Sequence, residues 1–443
     1  MQEYDLKNKK IALLGFGKSN SELLAYIHKY SDDICIFDEN PHELKLEGRF
    51  RDIKVYSGAD SFRNLKGFDY IFRSPGIRPD NRYILEEVER GAILTSETEL
   101  FISRCKGWII GVTGSDGKTT TASLIFDMIK RSGKKVYLGG NIGNPLINIL
   151  DQIDNDTYVV LELSSFQLMT FDQSVDIAVI TNISPNHLDY HTSYEEYIEA
   201  KKNLVRYAGK GSVVVLNAKD REIRKHFKSK IPITVSYNSR NGIYYNKGRI
   251  YIGDEEIIDT SHMLIKGRHN IDNLMAAMGA ALEIADFDIM RQTAENFPGV
   301  EHRIETVGEV EGVTYINDSI ASSPKRTIAG LRSFDRKVIL IAGGKDKGLS
   351  FEELGREVKK HVKAMVLIGQ TKDAILKSVL DADPGFFYRT AETLRDAVTI
   401  AHGLAVKGDI VFFSPASTSF DMFRNFEDRG KQFKKFVGLL KGG

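Results

Sequence analysis

Residues 108–129 read WIIGVTGSDGKTTTASLIFDMI, in which an apolar strand pattern, a glycine-rich turn and an amphipathic helix pattern follow one another. The turn approximates the phosphate-loop pattern G-x-x-x-x-G-K-[ST], although Val112 occupies the first glycine position and Gly111 lies one place earlier. Glycines let backbone N–H groups converge on an anion, and a helix N-terminus adds its positive dipole end. The stretch therefore favours a phosphate-binding turn over a glycine-rich turn with a surface lysine.

This turn has the side chains that a nucleotide triphosphate requires. Lys118 offers a positive charge to the terminal phosphates, and the Thr119 hydroxyl is a suitable ligand for Mg²⁺. We expect the phosphates of ATP to contact Gly114, Ser115, Asp116, Gly117, Lys118, Thr119 and Thr120.

The same strand-and-turn opening occurs in two further places. Lys10–Leu14 leads into a Gly-Phe-Gly turn, and Lys337–Ile341 leads into an Ala-Gly-Gly turn. Short Val- and Ile-rich runs alternate with helix-like segments, which predicts an α/β fold with mostly parallel sheets. Three openings predict three domains, 1–97, 98–305 and 306–443, with an acidic helix-like stretch ending at the first boundary. Asn-Gly and Lys-Gly turns within 235–262 predict a small antiparallel insertion in the central domain.

Composition excludes several classes of function. The 443 residues include 61 Lys and Arg against 60 Asp and Glu, so no overall basic field attracts nucleic acid or anionic lipid. Cys35 and Cys105 lie far apart, which argues against a disulfide framework and suits a reducing compartment. The charged N-terminus lacks a signal-peptide pattern, and no apolar run reaches the length of a membrane span. We expect a cytoplasmic protein.

Two residues that follow predicted strands are candidate metal ligands. Glu162 ends the strand pattern at 158–161, and His187 follows the strand pattern at 177–181. A carboxylate at the carboxyl end of a strand faces the usual ligand crevice, although a lone histidine is more often a surface or core residue. Both strands are expected to neighbour the phosphate-loop strand. With Thr119, they would suffice for Mg²⁺, which keeps water and phosphate oxygens as its other ligands.

The first turn, Gly15-Phe16-Gly17-Lys18-Ser19-Asn20, nearly fits the dinucleotide pattern G-x-G-x-x-G, with Asn20 in place of the last glycine. Asp38 ends the second strand, where a ligand to a ribose hydroxyl would lie. Taken alone, residues 1–97 therefore leave a nicotinamide-dependent enzyme open as an alternative.

Several motifs in order along nearly the whole chain resemble those of the Mur ligase family. They are GVTGSDGKTT (111–120), ELSSFQ (162–167), Asn182 and His187, Ala200-Lys201, Gly267-Arg268-His269-Asn270 with Asn273, His302-Arg303, Asn317-Asp318-Ser319, and Ser414-Pro415-Ala416. The form of these motifs is most similar to that of the member that adds D-glutamate to UDP-N-acetylmuramoyl-L-alanine in peptidoglycan precursor synthesis.

This resemblance implies a Rossmann-like UDP-binding domain, a central ATPase domain and a Rossmann-like acceptor domain. It implies a monomer that binds ATP, two Mg²⁺ ions and CO₂, the last as a carbamate on Lys201 that ligates metal. Read alone, Lys201 and Lys202 would belong to a solvated helix face. The resemblance also gives a catalytic role to Lys118, Lys201, His187 and Arg303, and further ATP contacts to Asn273, Arg303 and Asp318.

The resemblance also implies the remaining substrate contacts. For the UDP-sugar they are Gly17, Ser19, Asp38, Ser74, Gly76, Asn141 and Ser164, with Lys18 as a further candidate. For the acceptor amino acid they are Ser322, Lys347, Ser419 and Phe426. The chain departs from the common pattern at Glu39-Asn40 and at Ile320, where many members have lysine; Lys325 or Lys345 are alternative sources of that charge.

Three alternatives stay open at this point. A folylpolyglutamate synthetase shares the central chemistry but lacks an N-terminal UDP-binding domain. Another Mur ligase would differ mainly in its acceptor amino acid. A phosphate-loop nucleotide switch would release phosphate, or bind nucleotide, without needing three substrates.

Overall fold

The computed structural model describes residues 4–40, 44, 46–141, 145–227 and 233–440. Within these residues the strands form three β-sheets joined by helices, which confirms the predicted α/β class. The first two sheets belong to one compact unit, Met1–Phe297, and the third belongs to a second unit, Pro298–Gly443. The domain boundaries near Glu97 and Glu305 remain predictions.

The first sheet is parallel throughout. Its strands are β1 (Ile11–Leu14), β2 (Ile34–Asp38), β3 (Lys54–Ser57), β4 (Tyr70–Arg73) and β5 (Ile93–Thr95), and the helices that follow β1, β4 and β5 are α1 (Lys18–Ile27), α2 (Arg82–Glu89) and α3 (Glu97–Arg104). The strand order is β3-β2-β1-β4-β5. The direction of winding changes between β1 and β4, and open α/β sheets bind ligands beside the carboxyl ends of such strands.

The prediction that an acidic helix-like stretch ends near Glu97 is wrong. Helix α2 already ends at Glu89, strand β5 follows, and α3 begins at Glu97. The physical reason is a cap, because the Ser96 side chain accepts the N–H of Glu99 and so starts a helix there.

The second sheet contains the phosphate-loop strand near its middle. Its strands are β6 (Trp108–Thr113), β7 (Val136–Gly140), β8 (Tyr158–Glu162), β9 (Ile177–Ile180), β10 (Val213–Asn217), β11 (Ile233–Tyr237), β12 (Ile243–Asn246), β13 (Arg249–Ile252) and β14 (Glu255–Asp259). Its helices are α4 (Lys118–Arg131), α5 (Ser165–Leu168), α6 (Tyr194–Arg206), α7 (Arg221–His226), α8 (Arg268–Ala281) and α9 (Phe287–Asn296). Strand β6 pairs in parallel with β8 and β9, so the expected neighbours of the phosphate-loop strand are confirmed.

Strand β6 is apolar on both faces because both faces of the sheet are covered. Ile110 and Val112 pack in one cluster with residues of α4 and α8, whereas Ile109 packs in another cluster with residues of α6. A parallel strand covered on both sides reads as a continuous apolar run, as residues 108–113 do.

The antiparallel insertion is present, but one of its predicted turns has a different role. Strands β12, β13 and β14 pair antiparallel, and Lys247-Gly248 joins the first two as expected. The Asn241-Gly242 turn instead joins β11 to β12, which pair in parallel. A Cβ on Gly242 would overlap the carbonyl oxygen of Ser236, so close backbone approach explains this glycine.

The third sheet has one antiparallel edge. Its strands are β15 (Glu305–Val310), β16 (Val313–Asn317), β17 (Val338–Gly343), β18 (Val362–Ile368), β19 (Tyr388–Thr390) and β20 (Ile410–Phe413). Its helices are α10 (Pro324–Leu331), α11 (Glu352–His361), α12 (Lys372–Ala382), α13 (Leu394–Leu404) and α14 (Phe426–Leu440). The order is β15-β16-β20-β17-β18-β19, and among the described strands of this sheet only β15 and β16 pair antiparallel. The carboxyl ends of β16, β20 and β17 therefore lie side by side.

Candidate functional site

The glycine-rich turn closes tightly against two other elements of the first unit. Gly114 and Gly117 have φ angles of 152° and 77°, which other residues rarely adopt. A Cβ on Gly114 would overlap the Thr181 hydroxyl after β9, and one on Gly117 would overlap the Asn273 amide on α8. The two glycines therefore permit both the path of the turn and its close contact with its neighbours.

Hydrogen bonds from the segment that follows β9 hold the turn in shape. The N–H of Ser115 donates to the carbonyl of Asn182 at 2.8 Å, and the N–H of Asp116 donates to the Asn182 side chain at 2.9 Å. The Ser115 hydroxyl donates to the Ser184 carbonyl at 2.8 Å, and the Thr181 hydroxyl donates to the Asp116 carbonyl at 2.7 Å. These hydrogen bonds within the protein itself fix the conformation of the turn.

Two lysines converge on the carbonyl of Gly114. Lys118 Nζ donates to it at 3.0 Å, and Lys201 Nζ from α6 donates at 2.8 Å. Lys201 is 1% exposed, so its interpretation as part of a solvated helix face is wrong, whereas Lys202 beside it pairs with exposed Glu199. Burial, reinforced by the positive charge of Lys118, holds the pKa of Lys201 well below its usual value. A buried amine whose neutral form is favoured therefore lies against the phosphate-loop turn.

Thr119 and Glu162 form a pair of oxygen donors beside the turn. The Thr119 hydroxyl donates to Glu162 Oε2 at 2.7 Å, and the Asn141 amide donates to Glu162 Oε1 at 2.8 Å. Neighbouring ligands of an octahedral Mg²⁺ ion lie about 3 Å apart, because each is about 2.1 Å from the metal. The hydroxyl and carboxylate therefore fit two adjacent positions around one ion. Among the described residues there is no cluster of three or more His, Cys, Asp or Glu that could hold a metal.

His187 lies in the segment after β9, with a left-handed φ of 54°. Its ring meets the edge of Phe166 with centroids 4.9 Å apart. Its pKa is lowered by partial burial and then by the positive charge of Lys118, with a smaller effect from Lys201. The imidazole therefore faces the same region as the two lysines and favours its neutral form, which is the form that ligates metals.

Asn273 on α8 supports the turn from the other side. Its amide oxygen faces Gly117 and accepts from Thr121 at 3.5 Å, while its amide nitrogen donates to Asn270 at 3.2 Å. Thr120, a further predicted ATP contact in the first turn of α4, is half-buried. These contacts bring Asn273 to the phosphate-loop turn, and its predicted contact with ATP stays a prediction.

The first turn of the N-terminal sheet uses its polar residues internally. Asp38 Oδ2 accepts the N–H of Phe16 at 2.7 Å, and Asn20 donates to the carbonyls of Leu14 at 3.0 Å and Gly15 at 2.8 Å. Asn20 also reaches the Phe72 carbonyl at 3.4 Å. Asn20 therefore replaces the glycine of the dinucleotide pattern because its amide binds the carboxyl ends of two strands.

The other predicted UDP-sugar contacts lie near this turn or near Glu162. Ser74 follows β4, and its hydroxyl lies where a Cβ on Gly15 would be. Ser164 caps α5, accepting the N–H of Gln167 at 3.2 Å. Gly17 and Ser19 flank the start of α1, Gly76 follows Ser74, and Asn141 contacts Glu162. The predicted set thus forms two groups within one unit.

In the second unit, Asp318 lies just after β16 and is buried. Its carboxylate accepts the N–H of Ile304 at 3.2 Å and the hydroxyl of Ser414 at 2.8 Å. Burial raises the pKa of Asp318 to about 7. Arg303 lies between His302 and Ile304, both with positive φ, and its charge acts on Asp318 in the opposite direction.

The predicted acceptor residues follow strands whose carboxyl ends lie side by side in the third sheet. Ser419 follows β20, is 2% exposed, and accepts the backbone N–H of Met422 through its carbonyl. The carbonyl of Phe426 accepts the Ser319 hydroxyl at 2.8 Å. Ser322 and Lys347 lie in the loops after β16 and β17, and Lys347 is exposed. Their roles with an amino acid stay predictions.

Three buried residues were not identified from the sequence. His191 has hydrogen-bond partners at both ring nitrogens, Glu196 and Ser165. Arg73 donates to the carbonyls of loop residues after β4 and of Phe166. Arg429 donates to the carbonyls of Ser417 and Ser319. Arg73 ends the apolar strand pattern at 70–73, which was a usable signal, whereas Arg429 lies in a polar stretch and, like His191, gave none.

Comparison with known proteins identifies the family. Residues 10–83 match the MurD N-terminal domain, residues 112–281 the Mur ligase middle domain, and residues 302–417 the Mur ligase glutamate ligase domain. The first match sets aside the nicotinamide alternative for residues 1–97. It also disfavours a folylpolyglutamate synthetase and a simple nucleotide switch.

Relatives of similar length cover nearly the whole chain. The UDP-N-acetylmuramoylalanine--D-glutamate ligase of Acetivibrio thermocellus is 45% identical, with 98% of this chain and 97% of the relative aligned. Those of Ruminiclostridium cellulolyticum and Clostridium tetani are 45% and 41% identical, over 99% and 98% of this chain and 98% and 97% of the relatives.

Solved structures share the fold at low sequence identity. UDP-N-acetylmuramate-alanine ligase MurC from Thermotoga maritima is 18% identical with a TM-score of 0.56, covering 97% of this chain and 99% of that chain. MurF from Acinetobacter baumannii is 15% identical with a TM-score of 0.58, covering 100% of this chain and 93% of that chain. On the sequence relatives and the matched domains together, the chain belongs to the Mur ligase family.

Proposed function

We propose that this protein joins D-glutamate to UDP-N-acetylmuramoyl-L-alanine, with ATP converted to ADP and phosphate. The observation that carries the proposal is the convergence of Lys118, Lys201 and the Thr119–Glu162 pair on one glycine-rich turn. A Mur ligase chain with that turn has the groups needed to activate a carboxylate as an acyl phosphate.

In the first half-reaction, a carboxylate oxygen of the alanine attacks the γ-phosphorus of ATP, and the bond to the β-phosphate oxygen breaks. Lys118 and Arg303 are assigned to the negative charge that gathers on the transferring phosphoryl group. Asn273 and Asp318 are assigned to the nucleoside. The products are ADP and an acyl phosphate.

In the second half-reaction, the amine of D-glutamate attacks the acyl carbon. The tetrahedral intermediate releases phosphate, and the amine loses a proton to a base that we do not assign. Ser322, Lys347, Ser419 and Phe426 are assigned to the acceptor amino acid, with Lys347 facing its side-chain carboxylate. An acyl phosphate hydrolyses readily, so the reaction requires that water be excluded at this stage.

Two Mg²⁺ ions would be held by Thr119, Glu162, His187 and a carbamate on Lys201, and would supply charge neutralisation at the phosphates. What supports the carbamate is the buried amine of Lys201, since only a neutral amine adds CO₂. The addition forms an N–C bond, releases one proton, and converts the neutral amine into a carboxylate-like anionic oxygen ligand.

The nucleotide-sugar is assigned to the switch region of the first sheet and its neighbours. The assigned contacts are Gly17, Lys18, Ser19, Asp38, Ser74, Gly76, Asn141 and Ser164. We place the reaction in the cytoplasm. We also assign it to a monomer, as the family resemblance implies. No helix among the described residues is long and apolar enough to cross a bilayer.

The test is ADP formation measured with each substrate omitted in turn. Turnover should require ATP, UDP-N-acetylmuramoyl-L-alanine and an amino acid, and D-glutamate should be preferred over L-glutamate, L-alanine and diamino acids. ADP release from ATP alone at the full rate would refute the ligase proposal. Full dependence with another amino acid preferred would refute only the choice of D-glutamate.

A second test concerns the carbamate. Lys201→Ala should lose activity by about 10²-fold or more and recover part of it with acetate or formate, which supply the missing carboxylate. Lys202→Ala, on the same helix but paired with Glu199, is the matched control and should keep its activity. Equal loss in both variants, or no recovery with either acid, would contradict the assignment.

A further inference from the structure

Four side chains form a continuous polar chain between the loop after β4, the segment after β9 and the first turns of α5 and α6, all within the first unit. The residues are Arg78, Glu196, His191 and Ser165. The loop after β4 also contains Ser74 and Gly76, and the segment after β9 contains His187. Glu162 ends β8, and Ser164 directly precedes α5. We name this set the Arg78–Ser165 relay.

The first link joins the loop after β4 to the segment after β9. Arg78 donates to Glu196 Oε1 at 2.9 Å and to the carbonyl of Tyr190, and its guanidinium lies 5.5 Å from the centre of the Tyr190 ring. The Tyr190 hydroxyl donates back to the Pro75 carbonyl at 3.0 Å. Pro75 lies between Ser74 and Gly76, so this link reaches the proposed nucleotide-sugar loop itself.

The second link joins the segment after β9 to the turn after β8. His191 is 2% exposed; its Nδ1 lies 3.2 Å from Glu196 Oε2 and its Nε2 lies 2.9 Å from the Ser165 hydroxyl. Because the Arg78 guanidinium lowers the pKa of Glu196 to about 2, the carboxylate is ionised and accepts from Nδ1–H. The Ser165 hydroxyl then donates to Nε2.

An aromatic contact extends the relay to His187. The Phe166 ring lies 4.2 Å from Tyr190 and 4.9 Å from His187, centroid to centroid. Buried Arg73 donates to the Phe166 carbonyl at 2.8 Å and to the Ile77 carbonyl at 2.6 Å. Arg73 therefore joins the loop after β4 to the backbone of Phe166, whose ring contacts His187.

The order Ser–His–Glu is also that of hydrolytic triads, and burial excludes that role. Ser165 is 2% exposed and its hydroxyl donates to the histidine within the protein interior. A nucleophile must reach a substrate carbonyl. Because this chain of hydrogen bonds ends in the interior, its role is to hold the segments that it joins in position.

We infer that Arg78, Glu196 and His191 are positioning residues that couple the nucleotide-sugar loop after β4 to the metal-binding side chains Glu162 and His187. The inference rests on the proposed function for the identity of the two ligands. Ordering of the loop after β4 by the nucleotide-sugar would fix the His187 segment, and therefore strengthen the binding of Mg²⁺ and nucleotide. Such coupling is reciprocal, and typical couplings change an affinity by about 5- to 150-fold.

The test is a binding cycle that needs no turnover. The dissociation constant of a non-hydrolysable ATP analogue with Mg²⁺ is measured by calorimetry, with and without UDP-N-acetylmuramoyl-L-alanine and without any amino acid. In the unaltered protein we expect the nucleotide-sugar to tighten analogue binding by about 10-fold. In Arg78→Ala and Glu196→Gln this factor should fall to about 2-fold or less, while Glu196→Asp should recover part of it.

Arg78 and Glu196 are partly exposed, at 24% and 27% of their side-chain surface, so their replacement is compatible with folding. The matched control is Glu199→Gln on the same helix, α6. It removes a carboxylate that pairs with Lys202 and Arg206 and lies outside the relay. The control should keep the coupling factor of the unaltered protein.

Three results would overturn the inference: no coupling in the unaltered protein, full coupling in Arg78→Ala, or loss of coupling in Glu199→Gln. Each leaves the ligase proposal intact as long as ADP formation still requires all three substrates. Failure of that requirement would instead refute the proposed function. A loss of coupling in both relay variants at unchanged melting temperature is the supporting result.

Discussion

The first sheet and the second sheet each begin with a strand, a glycine-containing turn and a helix that starts with lysine, yet the two turns are built differently. Gly17-Lys18 starts α1 and Gly117-Lys118 starts α4. In the first turn the polar side chains bind the backbone of the turn's own sheet: Asp38 accepts from Phe16, and Asn20 binds strand carbonyls.

In the second turn the polar side chains arrive from other strands and helices. Glu162 comes from β8, Lys201 from α6 and Asn273 from α8, and all three lie against the turn or its first helical residues. The comparison shows that the same strand–turn–helix unit can have its turn held by hydrogen bonds within its own sheet. It can also place its turn where reactive side chains from several other elements come together. Side chains from outside the unit decide which.

The largest expected effect separates the two lysines. Lys118→Ala should lower the rate of ADP formation on the order of 10³-fold, because it removes charge stabilisation from the transferring phosphoryl group. Lys18→Ala should lower it less than about 10-fold, through weaker nucleotide-sugar binding. Steady-state kinetics with all three substrates provides the measurement.

Lys130→Ala, in the exposed last turn of the same helix α4, is the control and should keep full activity. Similar losses in Lys18→Ala and Lys118→Ala would remove the distinction between the two turns.

The next effect concerns the oxygen pair of the second turn. Thr119→Val keeps the side-chain shape and loses the hydroxyl, so the Mg²⁺ concentration for half-maximal activity should rise by about 10- to 100-fold. Thr119→Ser keeps the hydroxyl and should stay within about 3-fold of the unaltered protein. A magnesium titration at saturating ATP measures both. An unchanged titration in Thr119→Val would exclude the hydroxyl as a ligand.

The first turn should respond in stability. Asn20 is fully buried and binds the carbonyls of Leu14, Gly15 and Phe72, so Asn20→Ala should lower the free energy of unfolding by about 1–3 kcal/mol. Urea unfolding followed by circular dichroism measures the change. Ser21→Ala, one residue later and exposed, should stay within about 0.5 kcal/mol. Equal stability of both variants would contradict a structural role for Asn20.

The smallest effect tests the helix that joins the two sheets. Burial raises the pKa of Glu99 on α3 to about 8, so folding favours its protonated form. Its contribution to stability is present below its ordinary pKa of 4.5 and is lost as pH rises to about 8. Glu99→Gln should therefore raise the free energy of unfolding at pH 8 by about 1–2 kcal/mol.

The same variant should make little difference at pH 4.5, and Glu89→Gln, at an exposed site on α2, should follow the unaltered protein at both values. Melting temperatures at the two pH values provide the comparison. A gain of equal size at both would show that ionisation of Glu99 is not the cause.

Strand and helix positions were predictable where periodicity and glycine turns coincide, as for β6 and α4. The start of α3 was missed because the acidic residues Glu97 and Glu99 were assigned to the end of a helix, whereas with the capping Ser96 they favour a helix start. The Asn241-Gly242 turn was misassigned because its glycine reflects contact with Ser236, a residue of another strand. Such contacts between elements leave no local pattern in the sequence.

The candidate site was predictable to a similar extent. Glu162 was expected because a carboxylate at a strand end has a known geometry, and Lys201 only through the family resemblance. The relay could not be expected, since Arg78, His191 and Ser165 belong to three separate parts of the chain. Only their folding together gives each a partner.

The most direct test of the account is a crystal structure of the protein with Mg²⁺ and a non-hydrolysable ATP analogue. We expect the triphosphate at residues 114–120, with a metal ion bound by Thr119 and Glu162. The analogue seated in the first turn at Gly15–Lys18, with the turn before α4 holding no phosphate, would contradict the assignment of the second turn as the site of phosphoryl transfer.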